Sequence, residues 1–289
     1  MGRTVAAAAA GEHQVMGIVN VTPDSFSDGG LYLDAGAAIE HGLELERAGA
    51  SILDVGGEST RPGASPVAAD EELRRVIPVV EGLRDRGSAQ VSIDTSKAAV
   101  ATAAITAGAT LVNDVTALRG DPLMVDVVAQ AGADCCLMHM LGEPRTMQRN
   151  PRYDDVVSEV KAFLEQRLAF ATARGVDQQR VVLDPGIGFG KTAEHNLELL
   201  RRLDEIVALG RPVAIGTSRK SFLGKITARP VEDRTAATIA TNVFAYLRGA
   251  RVFRVHDVAP IHDALAITAA TVQRPWASTT PTSSTMSTT

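Results

Sequence analysis

Eight short β-branched runs recur along the 289-residue chain. They lie at Val15–Val21, Ser51–Val55, Val91–Asp94, Leu111–Val115, Cys135–His139, Val181–Asp184, Val213–Gly216 and Val252–Val255. Between most of them stand Ala-, Leu- and Glu-rich stretches with helical spacing, such as Ala35–Ala48, Asp70–Arg84 and Tyr153–Ala173. Even the short gap after the third run holds a helical segment, Ala98–Ala107, with Gly108 to close it. Continuous apolar strands separated by helices imply parallel strands covered on the outside. Eight such units over about 260 residues match a single-domain α/β chain, a (β/α)8 TIM barrel. With seven Phe, three Tyr and one Trp among 45% hydrophobic residues, Ala, Val, Leu and Ile must fill its core.

A doubly wound open sheet also alternates strands with helices. The placement of polar residues separates the two. Nearly every apolar run ends in a polar or glycine-rich cluster: Asn20-Val-Thr-Pro-Asp24, Asp54-Val-Gly-Gly-Glu58, Asp94-Thr-Ser96, Asn113-Asp114, His139, Asp184-Pro-Gly186, Ser218-Arg-Lys220 and Arg254-Val-His256-Asp257. A barrel gathers eight strand ends at one mouth, where active sites of this fold sit, whereas an open sheet spreads them along a line. The barrel is therefore expected over residues 14–275, flanked by a flexible extension over 1–13 and a disordered Ser/Thr-rich tail over 276–289.

Composition removes several function classes. With 29 basic against 34 acidic residues the net charge is −5, which argues against a general nucleic-acid or anionic-membrane surface. No apolar run approaches the ~20 residues of a membrane span, and Val5–Ala10 is too short for a signal core. Met1-Gly2 lacks the Ser or Thr that myristoylation wants, since Ala6 stands there. Adjacent Cys135 and Cys136 would face opposite sides of a strand, which suits burial in a reducing, cytoplasmic setting. The run Gly186-Ile-Gly-Phe-Gly-Lys-Thr192 invites a nucleotide-loop reading, but Pro185 occupies the position of the required first glycine. A nucleophile elbow, zinc-type Cys/His spacing and a His-Glu-x-x-His helix are all missing, against covalent acyl transfer and zinc hydrolysis.

What remains is a site of carboxylates, amides and cations. Strand alternation puts Arg254 and His256 on one face, and Ser218 and Lys220 in the same relation, while only one of Asn113 and Asp114 can point into the mouth. Taken singly, Asp184 or Asp94 reads equally well as a helix cap; the set as a whole does not. His139 reads either as a satisfied strand-end histidine or as a functional one. Two long segments, Thr22–Leu33 and Ser59–Asp70, carry Pro, Gly, Ser and Asp and read as substrate-covering loops or as ordinary surface.

Longer motifs carry a resemblance. Met16-Gly-Ile-Val-Asn-Val-Thr-Pro-Asp-Ser-Phe-Ser-Asp-Gly-Gly30 and Asp54-Val-Gly-Gly-Glu-Ser-Thr-Arg-Pro-Gly63 resemble the two signatures of the dihydropteroate synthases. Ser92-Ile-Asp-Thr-Ser-Lys97, Asn113-Asp114, Leu137-Met-His-Met140, Asp184-Pro-Gly-Ile-Gly-Phe-Gly-Lys191, Ser218-Arg-Lys-Ser221 and Arg254-Val-His-Asp-Val258 follow in order. The resemblance implies a (β/α)8 barrel, a homodimer, and a transferase of folate biosynthesis. In that reaction p-aminobenzoate displaces diphosphate from 6-hydroxymethyl-7,8-dihydropterin diphosphate to give 7,8-dihydropteroate. By similarity Asp184, Asn113 and Asp94 hold the pterin, Lys220 lies over it, and Val115, Met138, Phe189 and Gly216 wall the slot. Asn20, Arg254 and His256 resemble the diphosphate clamp, with Mg2+ as cofactor at Asn20; the resemblance casts Lys220, Arg254, His256 and Asp94 as catalytic. Phe26, Thr60, Arg61, Pro62, Phe189, Ser218 and Lys220 would surround p-aminobenzoate, bound second, where sulfonamides compete. The stretch Thr116–Gly120 is the least typical. Two rivals stay open: a methyltetrahydrofolate-dependent methyltransferase domain, which has no use for the Ser-Arg-Lys and Thr-Arg-Pro motifs, and a paralogue that binds pterin without turnover.

Overall fold

In the computed structural model, which describes residues 12–22, 35–59, 63–143 and 145–273, the eight runs form eight parallel strands. They are β1 (Gln14–Asn20), β2 (Ile52–Gly56), β3 (Gln90–Asp94), β4 (Leu111–Asp114), β5 (Asp134–Met138), β6 (Val181–Asp184), β7 (Ala214–Ile215) and β8 (Val252–Val255). The hydrogen-bonded order β6-β5-β4-β3-β2-β1-β8-β7 is closed by a single parallel bridge between Leu183 and Val213. The structure is the expected barrel. Helices α1 (Ala35–Arg47), α2 (Ala69–Arg86), α3 (Ala98–Ala107), α4 (Met124–Ala131) and α5 (Val156–Ala173) follow the first five strands. Helices α6 (Ala193–Arg201) and α7 (Leu203–Val207) follow β6; α8 (Ser221–Thr227) and α9 (Thr235–Leu247) follow β7; α10 (Val258–Gln273) closes the ring.

Two cores divide each strand between them. Outward residues such as Val19, Leu53, Ile93, Val112, Leu137, Leu183, Ile215 and Phe253 pack under the helices. Inward residues Met16, Ile52, Leu111, Cys136, Val182, Ala214 and Val252 fill the barrel as one apolar layer. Between that layer and the polar groups above it, including Asn113, Asp184 and Arg254, only about 10 Å³ is left, so the barrel is packed rather than hollow. Cys135 belongs to the outer core and Cys136 to the inner one, both as free thiols. Burial pushes the Cys135 thiol up to about 12.

Most element ends lie within a residue or two of the expected ones, and two of the differences have a local reason. Strand β7 shortens to two residues, because Pro212 offers no amide and Val213 meets β6 only through the one bridge. Helix α5 starts at Val156 rather than Tyr153, since the Asp155 carboxylate accepts from the Val157 amide as an N-cap. Tyr153 is freed for another task, donating from its hydroxyl to the Gly190 carbonyl at 2.9 Å. His13, assigned above to the extension, packs edge-on against Tyr246 with 5.7 Å between ring centroids. Residues 1–11, 23–34, 60–62, 144 and 274–289, the last including the expected Ser/Thr-rich tail over 276–289, lie outside the described residues.

Strand β4 ends in a strained turn. Ala117 and Leu118 both take left-handed backbone, at φ 53° and 62°, a conformation that costs ordinary residues about 1–2 kcal/mol each. Asp114 holds it: one carboxylate oxygen accepts from the Thr116 amide and hydroxyl at 2.8 and 2.7 Å, the other from the Leu118 amide at 2.8 Å. Arg167 on α5 donates to the Ala117 carbonyl at 2.8 Å from the far side. The turn therefore depends on one buried carboxylate. Asp114→Ala should lower stability by about 1–3 kcal/mol, as buried amides lose their acceptor. Chemical denaturation measures this directly, and an unchanged midpoint would show that the turn holds without Asp114.

Candidate active site

The register that builds the inner apolar layer dictates what stands above it. Side chains two residues further along each strand share the same face, so Asp54 follows Ile52, Asn113 follows Leu111, Met138 follows Cys136, Asp184 follows Val182, Gly216 follows Ala214 and Arg254 follows Val252. Pairing aligns Asp54 with Ser92, Asp94 with Asn113, and Met138 with Asp184. An apolar floor thus passes into a polar layer within one step along the strands. Of the eight pterin residues expected from the sequence, Asp94, Asn113, Met138, Asp184 and Gly216 lie on this inward face, and Val115, Phe189 and Lys220 follow in the loops beyond the strands.

Asp54 is the hub of that layer. Fully buried, it accepts from Ser92 Oγ at 2.6 Å, Asn113 Nδ2 at 2.9 Å and Arg254 Nε at 2.6 Å. The Arg254 guanidinium reaches on from β8 and donates through Nη2 to Asp94 at 2.8 Å. Burial, with Asp54, Glu72 and Asp114 nearby, outweighs the pull of Arg254 and raises the Asp94 carboxyl to about 7. Arg254 itself is held above its ordinary value by Asp54 and Asp94. The sequence reading set Arg254 with His256 at the rim; the structure turns its guanidinium across the polar layer, between two carboxylates.

The second wall is the glycine-rich turn after β6. Gly186, Gly188 and Gly190 all have left-handed φ, and a Cβ on Gly186 would sit 1.8 Å from the His139 carbonyl oxygen. Only glycine permits so close an approach. Asp184 accepts from the Gly186 amide at 2.6 Å, and burial raises its carboxyl above the ordinary range. Phe189 joins Val115, Met138, Met140 and Met147 in a small apolar cluster, so three of the four expected slot residues touch one surface. Lys220 Nζ stands 4.1 Å from the centre of the Phe189 ring. At Gly216 a Cβ would meet nothing nearer than the Arg254 Cβ at 3.9 Å, which leaves the slot open there.

Along the rim, Ser218 Oγ lies 3.0 Å from His256 Nδ1 and accepts from the His256 amide at 3.2 Å. Asn20 ends β1 opposite Gly56, on the same inward face as Met16. Below the β2 loop, Lys97 bridges Glu58 and the fully buried Glu72, with the Glu72 contact at 2.5 Å. A cavity of about 200 Å³ opens beside it, bordered by Glu58, Asp94, Ser96, Val115, Glu143 and Arg145. Phe26, Thr60, Arg61 and Pro62 lie outside the described residues. Sequence reasoning did not assign Asp54, Ser92 or Lys191 to the site. Asp54 was detectable by alternation, sharing the inward face with Ile52; Lys191 was obscured by the nucleotide-loop comparison.

The chain matches the family model described as pterin binding enzyme over residues 16–256. It is 48% identical over 265 residues to the dihydropteroate synthase of Mycobacterium leprae, covering 89% of this chain and 93% of that one. Among solved structures, the Xanthomonas albilineans dihydropteroate synthase with 4-aminobenzoic acid shares 48% identity and a TM-score of 0.86, covering 91% and 94% of the two chains. The same organism's enzyme in complex with 7,8-dihydropteroate gives 45% identity and a TM-score of 0.83, over 91% and 95%.

A carboxyl raised to about 7 has a signed consequence for stability. Between its ordinary value and about 7 the folded protein binds a proton that the unfolded chain has released, so stability falls as pH rises through that window and levels above it. Urea unfolding from pH 4.5 to 8 should show this slope in the parent and a shallower one in Asp94→Asn. Equal slopes would mean that Asp94 does not titrate there.

Proposed function

The chain belongs to the pterin binding enzyme family, and from that premise we infer that it is a dihydropteroate synthase, a transferase of folate biosynthesis. It condenses 6-hydroxymethyl-7,8-dihydropterin diphosphate with p-aminobenzoate, releasing diphosphate and a proton. The observation that carries this reading is the inward polar layer of Asp94, Asn113 and Asp184 facing an apolar wall under Lys220. A pterin needs both faces of that slot. Its guanidine-like edge donates two parallel hydrogen bonds, which the Asp184 carboxylate accepts in this reading, while Asn113 and Asp94 meet the remaining ring heteroatoms. In this reading Val115, Met138, Phe189 and Gly216 wall the slot, and Lys220, stacked on Phe189, lies over the flat ring.

Reaction follows from charge. As the bond between the exocyclic methylene and the diphosphate oxygen breaks, the electron pair leaves with the oxygen and a cation develops on carbon. The electron-rich ring and the neighbouring Asp94 stabilise that cation. The p-aminobenzoate nitrogen, neutral near pH 7, supplies its lone pair to form the new C–N bond and then loses a proton, so no strong base is required. We assign the leaving diphosphate to Asn20 and His256 at the rim, with Arg254 beneath them and Ser218 holding the His256 ring. Phe26, Thr60, Arg61, Pro62, Phe189, Ser218 and Lys220 are the proposed surround of p-aminobenzoate.

Magnesium is part of the proposal. Among the described residues no group of three or more His, Cys, Asp or Glu gathers as a metal site. Mg2+ binds oxygen and usually keeps waters and substrate phosphates, so among the described residues the Asn20 amide oxygen would fit as a protein contribution to such an ion. Such an ion supplies charge neutralisation at the leaving group. We also propose a homodimer in the cytoplasm. Pairing is supported by exposed Ile226, Val231, Phe244 and Leu247 on the flank of α8 and α9, and the cytoplasm by two buried free thiols. Among the described residues no helix is long and apolar enough to cross a membrane.

Diphosphate release from synthetic pterin diphosphate tests the reaction. Release should require p-aminobenzoate and Mg2+ together; tight pterin binding with no release would identify a non-catalytic paralogue. Asp184→Asn should weaken pterin binding by about 2–4 kcal/mol, read by calorimetry. Unchanged affinity would remove Asp184 from the role given to it.

A further inference from the structure

Lys191 follows the glycine turn yet points inward, with only 3% of its surface exposed. A buried ammonium needs acceptors, and it has three. Nζ lies 2.9 Å from His139 Nδ1 and donates to the Phe189 carbonyl at 3.0 Å and the His139 carbonyl at 3.5 Å. Burial lowers Lys191 to about 7 and Lys220 adds to that, while Asp184 draws it the other way. His139 is itself held neutral, pushed down to about 2 by burial and by the Lys191 and Arg119 charges, so its Nδ1 accepts while Nε2 carries the proton. The imidazole cannot turn away: Phe163 meets it edge-on at 4.9 Å and Tyr153 at 6.1 Å between ring centroids.

The rest of the turn is fastened peptide by peptide. Asn196 on α6 accepts from the Gly188 amide at 2.8 Å, Gln148 donates to the Gly188 carbonyl at 2.6 Å, and Tyr153 donates to the Gly190 carbonyl at 2.9 Å. The Phe189 carbonyl has Lys191. That peptide carries the ring beneath Lys220, and Gly188 lies against the Lys220 stem, where a Cβ would come within 2.9 Å of Cδ.

We propose that Lys191 is a positioning residue: with His139 it locks the Phe189 peptide to the end of β5, so that Phe189, Met138 and Lys220 form one rigid wall. It touches no reacting atom. The inference rests on the synthase reading for its substrates, but its mechanical half does not. Lys191→Met keeps the stem's volume and removes the donor. His139→Leu removes the acceptor, and His139→Asn can restore one where Nδ1 stood.

Hydrogen exchange on the full chain reads the mechanical half without turnover. Amides of residues 186–191 should exchange about tenfold faster in Lys191→Met and His139→Leu, with those of α3 unaltered. Steady-state kinetics reads the other half: KM for both substrates should rise about tenfold, the size expected for one charged hydrogen bond, with kcat within about threefold of the parent. His139→Asn should recover most of the loss, and the double variant should be no worse than Lys191→Met alone. Unaltered exchange, additive losses, or faster exchange with unaltered KM would each overturn the proposal. An inactive parent enzyme would instead defeat the synthase reading, and the exchange result would still decide the mechanical role.

Discussion

Arg254 crosses from β8 to carboxylates on β2 and β3, and the polar half of the barrel is arranged around that reach. Desolvating a guanidinium and two carboxylates is expensive, and the arrangement holds only because nearly every partner is engaged. Asp54 takes Ser92, Asn113 and Arg254 on its two oxygens, and Arg254 spends its second nitrogen on Asp94. With two acids to one cation the cluster is short of positive charge. Burial first, and that shortage with it, push Asp94 toward neutrality.

Much of this could be read from residue order alone, because parallel strands have a period of two. Alternation allowed only one of Asn113 and Asp114 to face the mouth and split Cys135 from Cys136; that Asn113 is the inward one came from the resemblance, and the structure gives Asp114 to the turn. Register was not in the sequence: that Met138 aligns with Asp184 across β5 and β6 is seen only in the fold. The same alternation carried Asp54 inward, but as a strand-end acid it resembled a cap and stood out less than Asp184. Reach was harder to read. Spacing puts Arg254 and His256 on one face, but does not tell that the Arg254 guanidinium turns to Asp54 and Asp94 across the polar layer.

Loops followed other rules. The Gly186–Lys191 turn looks like a phosphate cradle in one dimension, yet its lysine bonds to carbonyls and an imidazole rather than facing the mouth. Nothing in the spacing of a single lysine announces whether it will find buried acceptors, since two of the three come from His139 just beyond β5, some fifty positions earlier in the chain. Tyr153 behaves likewise. It has the pattern of a helix residue, and Asp155 excludes it from the helix by capping two residues on. Side chains that fasten loops are recruited by tertiary contact, so local sequence describes them poorly.

The barrel is stitched unevenly. Most neighbouring strands share four or five aligned pairs, whereas β6 and β7 meet through one. That seam runs between Asp184 on one lip and Gly216, Ser218 and Lys220 on the other. A molecule gripped from both lips at once acts as a rivet across the weakest join of the cylinder. Occupancy of the mouth then tightens the scaffold itself, and the protein's resistance to unfolding becomes a gauge of what it holds.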